Sequence, residues 1–326
     1  MRAVVITKPG DPDVLAVREV AEPAPGPLDL IVEVSAAGVN RADLLQRAGS
    51  YPPPPGAPAW PGLEVSGTVV ARGDGLGPDD LGPGDRVAAL LAGGGYAERV
   101  AVPAALALRI PEGLPLVDAA ALPEALATVW SNLRAARLSP GETLLVRGGS
   151  GGVGSVAVQL GHALGVRVVA TAGGPQRTAR VRALGADVAL DHREPDLVAR
   201  VLEATDGRGV DVVLDVLGAG ALADNLAVLA DDGRLVVIGM QQGRRGELDL
   251  SVLLSKRASI VGTMLRSRPL HQKVAIMDGV RRHVWPFVAD GSVRPVVHAR
   301  LPFDRAADAH RLLETGEAFG KVLLLP

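Results

Sequence analysis

GGSGGVGSVAVQLGHALG, residues 148–165, puts five glycines into its first seven positions and then continues as an apolar, helix-forming segment. Two unrelated enzyme turns share this pattern. Gly149 to Gly154 spells G-x-G-x-x-G, the turn that holds the diphosphate of a dinucleotide when it follows a strand and opens a helix. In that reading Gly149 permits the tight turn, Gly151 lets the backbone approach the diphosphate, and Gly154 lets the helix lie close to the first strand. The diphosphate then meets free amide hydrogens and the positive end of a helix dipole. Gly148 to Gly152 also spells G-x-S-x-G, which would present Ser150 as the nucleophile of a hydrolase.

The surroundings favour the phosphate reading. From about residue 120 predicted strands alternate with predicted helices. Thr143–Arg147 precedes a helix over 152–164, and Arg167–Thr171 precedes Gln176–Leu184. Val188–Leu190 precedes Asp196–Thr205, and Val210–Val216 precedes Ala221–Leu229. Arg234–Ile238 precedes Leu250–Lys256, and Ala258–Met264 closes the series. These strands are unbroken β-branched and leucine runs, as strands covered on both faces require. Repeated βα units joined by short loops predict a doubly wound parallel sheet. A hydrolase elbow fits less well. The chain before the turn reads as a separate β domain, only His298 or His310 could serve as base, and Gly93-Gly94-Gly95 lacks the leading histidine of an oxyanion loop.

Residues 1–110 read as short strands (Arg2–Thr7, Leu30–Val34, Val65–Ala71, Tyr96–Val102) punctuated by proline and glycine. YPPPPGAPAWPG, residues 51–62, can form neither helix nor central strand and reads as an ordered loop. Beyond residue 265 come a helix over about 270–290, a strand at Val296–Arg300, a helix at Arg305–Thr315 and the closing KVLLLP. That tail is too small to fold alone and is expected to return to the N-terminal domain. The predicted organisation is a discontinuous, mainly antiparallel β domain (1–123 and 265–326) around a Rossmann domain (124–264).

Composition narrows the chemistry. The chain has 326 residues, a formal net charge of −2 and no cysteine, which excludes disulfides, cysteine nucleophiles and thiolate zinc sites. The six histidines show no metal-ligand spacing, so no metal is expected. The charge balance argues against nucleic acid as a partner. No apolar run approaches the ~18 residues needed to cross a bilayer, and MRAVVITKPG carries no signal-peptide core, so a cytoplasmic, membrane-free protein is expected.

The end of the second strand names the dinucleotide. An NAD site places an acid about 20 residues beyond the glycines, on the ribose 2′-hydroxyl. VVATAGGPQRTAR, residues 168–180, has none; it offers Thr171, Gly173 and Gly174, then Arg177 and Arg180. A bare strand end beside arginine suits a 2′-phosphate, so NADPH is the expected cofactor.

GVNRADLLQRAGSYPPPPG (38–56), PGLEVSGTV (61–69), LGPGDRVAAL (81–90), the glycine turn, VVATAGG (168–174) and LLSKRASIVGTMLRSR (253–268) stand in one order. In that order they resemble the zinc-independent quinone oxidoreductase (zeta-crystallin-like) branch of the medium-chain dehydrogenase/reductases, over the whole chain. The closest pattern is the subgroup with NRADLxQRxGxYxPPPG. The resemblance implies a Rossmann domain plus a GroES-like domain, and hydride transfer from NADPH to a quinone without metal. Zinc-dependent relatives have Gly-His-Glu where this chain has Gly62-Leu63-Glu64.

The resemblance also implies residue roles. Asn40 and Thr128 would lie near the nicotinamide, and Tyr51 would face the cleft. Ser150, Gly151, Gly152 and Val153 would form the diphosphate turn. Thr171, Gly173, Gly174 and Arg177 would form the 2′-phosphate pocket, where relatives usually carry lysine at 177. His192 stands where relatives usually carry tyrosine. Leu217, Ile238, Gly239, Met240, Gln241, Met264, Leu265 and Arg266 would line the nicotinamide half, and Lys321 matches a late Gly-Lys. Gly149 replaces an alanine of many relatives, a change expected only to loosen the turn. Tyr51, Asn40 or water would donate a hydrogen bond as the quinone oxygen gains charge, in a cleft between the domains at the carboxyl ends of the strands. With only three Trp, two Tyr and three Phe in the chain, stacking on a quinone would fall to Tyr51 and Trp60. The same cleft could serve an activated double bond (an alkenal or enoyl thioester). A non-catalytic NADPH-binding or RNA-associated protein is the alternative of another class. The resemblance further implies a homodimer, or a tetramer, through the sheet edge at Val252–Met264.

Overall fold

Six parallel strands lie across one sheet in the order Val188–Asp191, Arg167–Ala172, Thr143–Val146, Val210–Asp215, Leu229–Val237, Ser259–Gly262. The computed structural model that shows this describes residues 1–326. Chain order reverses at Thr143–Val146, so the glycine turn leaves the strand at the switch point where doubly wound sheets bind ligands. The unbroken apolar runs have their expected cause: Leu144, Leu145, Val168, Val169, Val212, Val213, Leu235 and Val236 are all fully buried.

One strand is longer than its pattern shows. Leu229–Val237 begins where a helix was expected to end, and the helix before it is only Leu222–Ala227. Asp231-Asp232-Gly233 looks like a turn in the sequence. Here it is a bulge: Asp232 takes a left-handed φ of 59°, and the register jumps from Val210↔Leu229 to Val212↔Arg234.

The second sheet has seven strands. Its path runs Val297–Pro302, Lys321–Leu325, Asp29–Gly38, Glu64–Arg72, Arg86–Leu90, Ala107–Arg109, with Arg99–Pro103 also paired to Asp29–Gly38. Only the first pair is parallel. A separate ribbon joins Arg2–Ile6 to Leu15–Glu19. The closing strand therefore does return to the N-terminal sheet, through Leu323↔Gly38 and Leu324↔Ala37.

Two local features depart from expectation. Arg41–Arg47 is a helix within the β-rich part. Asn40 N–H donates to Asp43 Oδ2 at 2.8 Å, one arm of a capping box, and Leu44 buries its side chain. The helix expected over 270–290 is two, Leu270–His283 and Trp285–Ala289. Pro286 has no amide hydrogen for residue 282, and its ring crowds the preceding turn.

The chain forms two compact units. One contains Met1–Ala127, Leu265–Ala289 and Pro295–Pro326; the other contains Thr128–Met264 and Asp290–Arg294. Within the second unit, Gln159 and Arg294 exchange hydrogen bonds, each of 3.1 Å. No helix is long and apolar enough to cross a membrane.

Candidate functional site

The glycine turn has the shape of a phosphate cradle, with one exchange of roles. Gly148, not Gly149, takes the left-handed conformation, with φ 79°. Gly149 serves packing instead: a Cβ there would sit 3.1 Å from Ala170 Cβ and 3.2 Å from Val181 Cγ1. Glycine at 149 therefore relieves crowding against the second strand and the next helix. Thr171 holds the turn from behind, accepting from Gly148 N–H at its Oγ1 (3.1 Å) and from Gly149 N–H at its carbonyl (2.8 Å). The helix Gly152–Ala163 starts from Gly151, which has no side chain to cap it, so its first amides keep no side-chain partner. Ser150 is not among the residues with positive φ. The strained backbone that exposes a nucleophile elbow is absent from it.

The strand end that follows is basic. Gly174 (φ 86°) precedes the helix Pro175–Ala183, with proline at its first position. A Cβ at Gly173 would meet Arg193 Nε at 3.0 Å and His192 Cε1 at 3.2 Å, and one at Gly174 would meet Arg193 Nη1 at 3.4 Å. The Arg193 guanidinium thus lies over the two glycines. Sequence reading missed this residue, although it adjoins His192 and follows a strand end. Partial burial holds the His192 imidazole below its ordinary pKa; Arg193, Arg147 and Arg177 add to this, and Asp191 opposes it.

In the segments expected around the nicotinamide, several backbone groups are already engaged. Leu217 N–H donates to Asp215 Oδ1 (3.0 Å), Ile238 N–H to Asp215 O (2.8 Å) and Gln241 N–H to Val216 O (3.2 Å). Gly239 leaves no room for a side chain, with Val216 O 2.6 Å from a Cβ there. Met240 and Met264 are exposed. Thr128 is buried, and its carbonyl accepts from Asn132 Nδ2 at 2.7 Å.

The β-rich unit gathers the remaining residues into two clusters. In the first, Asn40 Nδ2 donates to Glu64 Oε1 (2.9 Å) and Gly38 O (3.3 Å), while Asn40 Oδ1 accepts from Lys321 Nζ (2.6 Å). Lys321 also pairs with Glu64, both being buried. In the second, the Arg266 guanidinium stands over the Tyr51 ring, 5.3 Å from its centroid. Arg266 is held there by Ala92 O (2.8 Å) and Gln46 Oε1 (2.6 Å). Burial raises the Tyr51 phenol pKa, with Arg266 pulling it down and Glu124 pushing it up. Trp60 anchors the proline loop through Nε1–H to Gly94 O, 3.0 Å.

Known proteins share this arrangement. Residues 26–112 match the alcohol dehydrogenase GroES-like domain and residues 152–278 the zinc-binding dehydrogenase domain. The quinone oxidoreductase of Rattus norvegicus is 31% identical over 334 residues, covering 100% of this chain and 98% of that protein. The chain belongs to the quinone oxidoreductase family of medium-chain dehydrogenase/reductases. Among solved structures, an NAD-dependent alcohol dehydrogenase superposes with TM-score 0.89 at 32% identity, covering both chains fully. The Escherichia coli quinone oxidoreductase complexed with NADPH superposes with TM-score 0.88 at 29% identity, again covering both fully.

One of the matched domains is of a zinc-binding type, and zinc needs His, Cys or carboxylate ligands. Leu63 is an apolar, buried side chain, and the adjacent Glu64 is committed to Lys321 and Asn40. No group of three or more His, Asp or Glu side chains is arranged to hold a metal ion.

Beneath the Asn40 cluster runs a buried chain of hydrogen bonds. Arg47 Nη1 faces His310 Nδ1 at 3.3 Å, His310 Nε2 faces Tyr96 Oη at 3.3 Å, and Tyr96 O–H donates to Asp43 Oδ2 at 3.2 Å. Arginine only donates, so Nδ1 must accept and the imidazole hydrogen sits on Nε2. His310 is accordingly neutral, its pKa pushed down to about 3 by burial and by Arg47. Burial pushes the Asp43 carboxyl up to about 6, against the amides of Gly62 and Asn40 and the charges of Lys321 and Arg266.

Linkage follows from these shifts. Between the unfolded value of 3.8 and about 6, the native state holds a proton at Asp43 that the unfolded chain has released. The contribution is full below the lower value and lost as pH rises through the upper, about 3 kcal/mol in all. His310 acts in the opposite sense, losing its contribution as pH falls from 6.5 toward about 3. The melting temperature of wild type minus that of Asp43→Asn should therefore fall as pH is raised from about 4 to about 7. A difference that stays flat across that range would refute the buried-proton reading of Asp43.

Proposed function

We propose that the protein reduces quinones with NADPH and without a metal. The single observation that carries this reading is the glycine turn at the switch point, set beside the end of the strand Arg167–Ala172, which has no acid of its own and meets Arg177, His192 and Arg193, the nearby carboxylate of Asp191 being engaged by the amides of Gly174 and Arg193. The similarity to quinone oxidoreductases over the full chain, one of them solved with NADPH, supports it.

When bound, NADPH supplies the hydride. The protein's own work is positioning and polarity. Gly148 to Val153 would receive the diphosphate, and Gly173, Gly174, Arg177 and Arg193 the 2′-phosphate, with His192 close by. Arg193 can lift from the glycines to admit that group. Tyr51 is the better proton donor to the acceptor oxygen, because both amide hydrogens of Asn40 are engaged with Glu64 and Gly38. The phenol, like any tyrosine, is protonated near neutrality, and the Arg266 guanidinium stands against its ring. Asn40 and Lys321 then act as positioning residues. A quinone needs only modest help as its oxygen gains charge, so Tyr51→Phe should lower kcat about 10- to 100-fold.

The test is a cofactor titration followed by an acceptor panel. NADPH should bind more tightly than NADH, and quinones should be reduced faster than alkenals or enoyl thioesters. Preference for NADH, the cofactor type named for one structural neighbour, would overturn the pocket assignment. Turnover confined to activated double bonds would establish the enoyl reductase reading instead. Binding with no turnover on any electron-poor acceptor would leave a non-catalytic NADPH-binding protein.

The assembly proposed is a homodimer. The edge strand Ser259–Gly262 has a neighbour on one side only; its Ile260 is exposed, as are Leu250 and Leu254 of the preceding helix Leu250–Ser255, Leu254 by 75%. Exposed apolar side chains next to an open sheet edge invite burial against another chain. Sedimentation should give twice the 33.5 kDa chain mass, and Leu254→Glu should return it to monomer. A wild-type monomer at micromolar concentration would count against the dimer.

A further inference from the structure

Arg147 is the last residue before the glycine turn, at the carboxyl end of the central strand Thr143–Val146. Its backbone is fixed by N–H donation to Leu214 O at 3.0 Å. The side chain is 5% exposed. Nε and Nη1 are buried and have no hydrogen-bond partner.

That is an expensive arrangement. A guanidinium stays charged, and an uncompensated buried charge costs several kcal/mol. The nearby acids do not relieve it. Asp215 spends its oxygens on the amides of Leu217 (3.0 Å) and Gly218 (2.7 Å), and the Asp224 side chain is exposed to solvent. Neither forms an ion pair with Arg147, although both attract its charge. The Arg147 charge also acts on His192, whose ring lies beside Gly173. Arg147 thus leads directly into the turn whose helix starts with uncapped amides, and its buried side chain keeps two nitrogens unsatisfied. Such a group calls for an anion whose several oxygens can accept together, and a phosphate has that chemistry.

We infer that Arg147 is a phosphate anchor of the cofactor site, its buried guanidinium nitrogens completed by phosphoryl oxygens of the dinucleotide. This rests on the NADPH reading above. Two phosphates are within the same chemistry, the diphosphate at the turn and the 2′-phosphate at the strand end, and the test separates them.

The experiment compares wild type with Arg147→Met, titrating NADPH and NADH and recording melting temperatures with and without each. Wild type is titrated first; if it binds neither dinucleotide, the cofactor reading has failed. Given wild-type binding, Arg147→Met should weaken NADPH about 10- to 100-fold, the range for hydrogen bonds to a charged group. An equal loss for NADH places the anchor at the diphosphate, and a loss confined to NADPH places it at the 2′-phosphate. The apo protein should melt no lower than wild type, because an apolar side chain of similar length replaces an unpaired charge. Affinities within twofold of wild type for both dinucleotides would overturn the inference. A lower apo melting temperature with unchanged affinity would make Arg147 a structural residue. If Arg147→Met does not fold, Arg147→Gln is read by the same criteria.

Discussion

Lys321→Met should destabilise the β-rich unit by about 3–5 kcal/mol, the range for removing one member of a buried ion pair. Glu64 has no exposed surface, and Lys321 is 4% exposed. Without the ammonium, Glu64 keeps hydrogen bonds from Asn40 Nδ2 and Glu124 N–H, each 2.9 Å. It loses its counter-charge, and Asn40 Oδ1 loses its only side-chain donor, 2.6 Å away. Adding Glu64→Gln should recover much of the loss, because a neutral amide at that position carries no charge to compensate. Denaturant unfolding of the wild type, both single variants and the double variant measures the coupling. The chain has two units, so the comparison is made on the transition that Lys321→Met moves. A cost below about 1 kcal/mol would show that the pair is not what holds these strands together. The same variants also test Asn40, since a loosened amide should alter KM for the acceptor as well as stability.

Gly154→Ala is the second large effect, and its cause is backbone against backbone. The added Cβ would lie 2.1 Å from Gly148 O, 2.8 Å from Gly148 C and 2.9 Å from Gly149 Cα. None of these atoms can swing away, so the helix must shift from the turn. Dinucleotide affinity should fall at least ~100-fold and stability by about 1–3 kcal/mol. Gly151→Ala is the matched control. Its Cβ would meet only Gly148 O, at 3.6 Å, an ordinary contact, so the fold should be kept. Any weakening there reports crowding of the diphosphate rather than distortion of the turn. Gly154→Ala binding NADPH within about threefold of wild type would refute the cradle.

The Rossmann sheet was readable because each of its requirements is local. A turn from a strand into a helix needs a left-handed residue and a close backbone approach, and both are written as glycines within seven positions. Even there the assignment slipped by one: sequence pattern named Gly149 for the turn, while the backbone puts the positive φ at Gly148. The Asp231–Gly233 bulge failed for a related reason. Its residues are those of a turn, and only pairing with the neighbouring strand makes them part of one. The helix Arg41–Arg47 did have a signal, Asn40 followed three residues later by Asp43, hidden in a stretch otherwise read as strands.

The site was legible in part. Resemblance pointed to Asn40, Tyr51, Arg266 and Lys321 by position, but their working contacts are not positional properties. Lys321 reaches Asn40 across 281 residues of chain, and Arg47 reaches His310 across 263. Arg193 and Arg147 went unremarked because an arginine at a strand end is ordinarily a solvated one. By itself, the sequence determined the parallel sheet, the glycine turn that opens its first helix and the absence of thiol chemistry. Each depends on backbone freedom or residue chemistry within a few positions. Tertiary structure alone decided which charges are buried, which are paired and which are left unpaired. Those states depend on which distant segments exclude water from a group, and desolvation is a property of the packed chain rather than of any neighbouring residue.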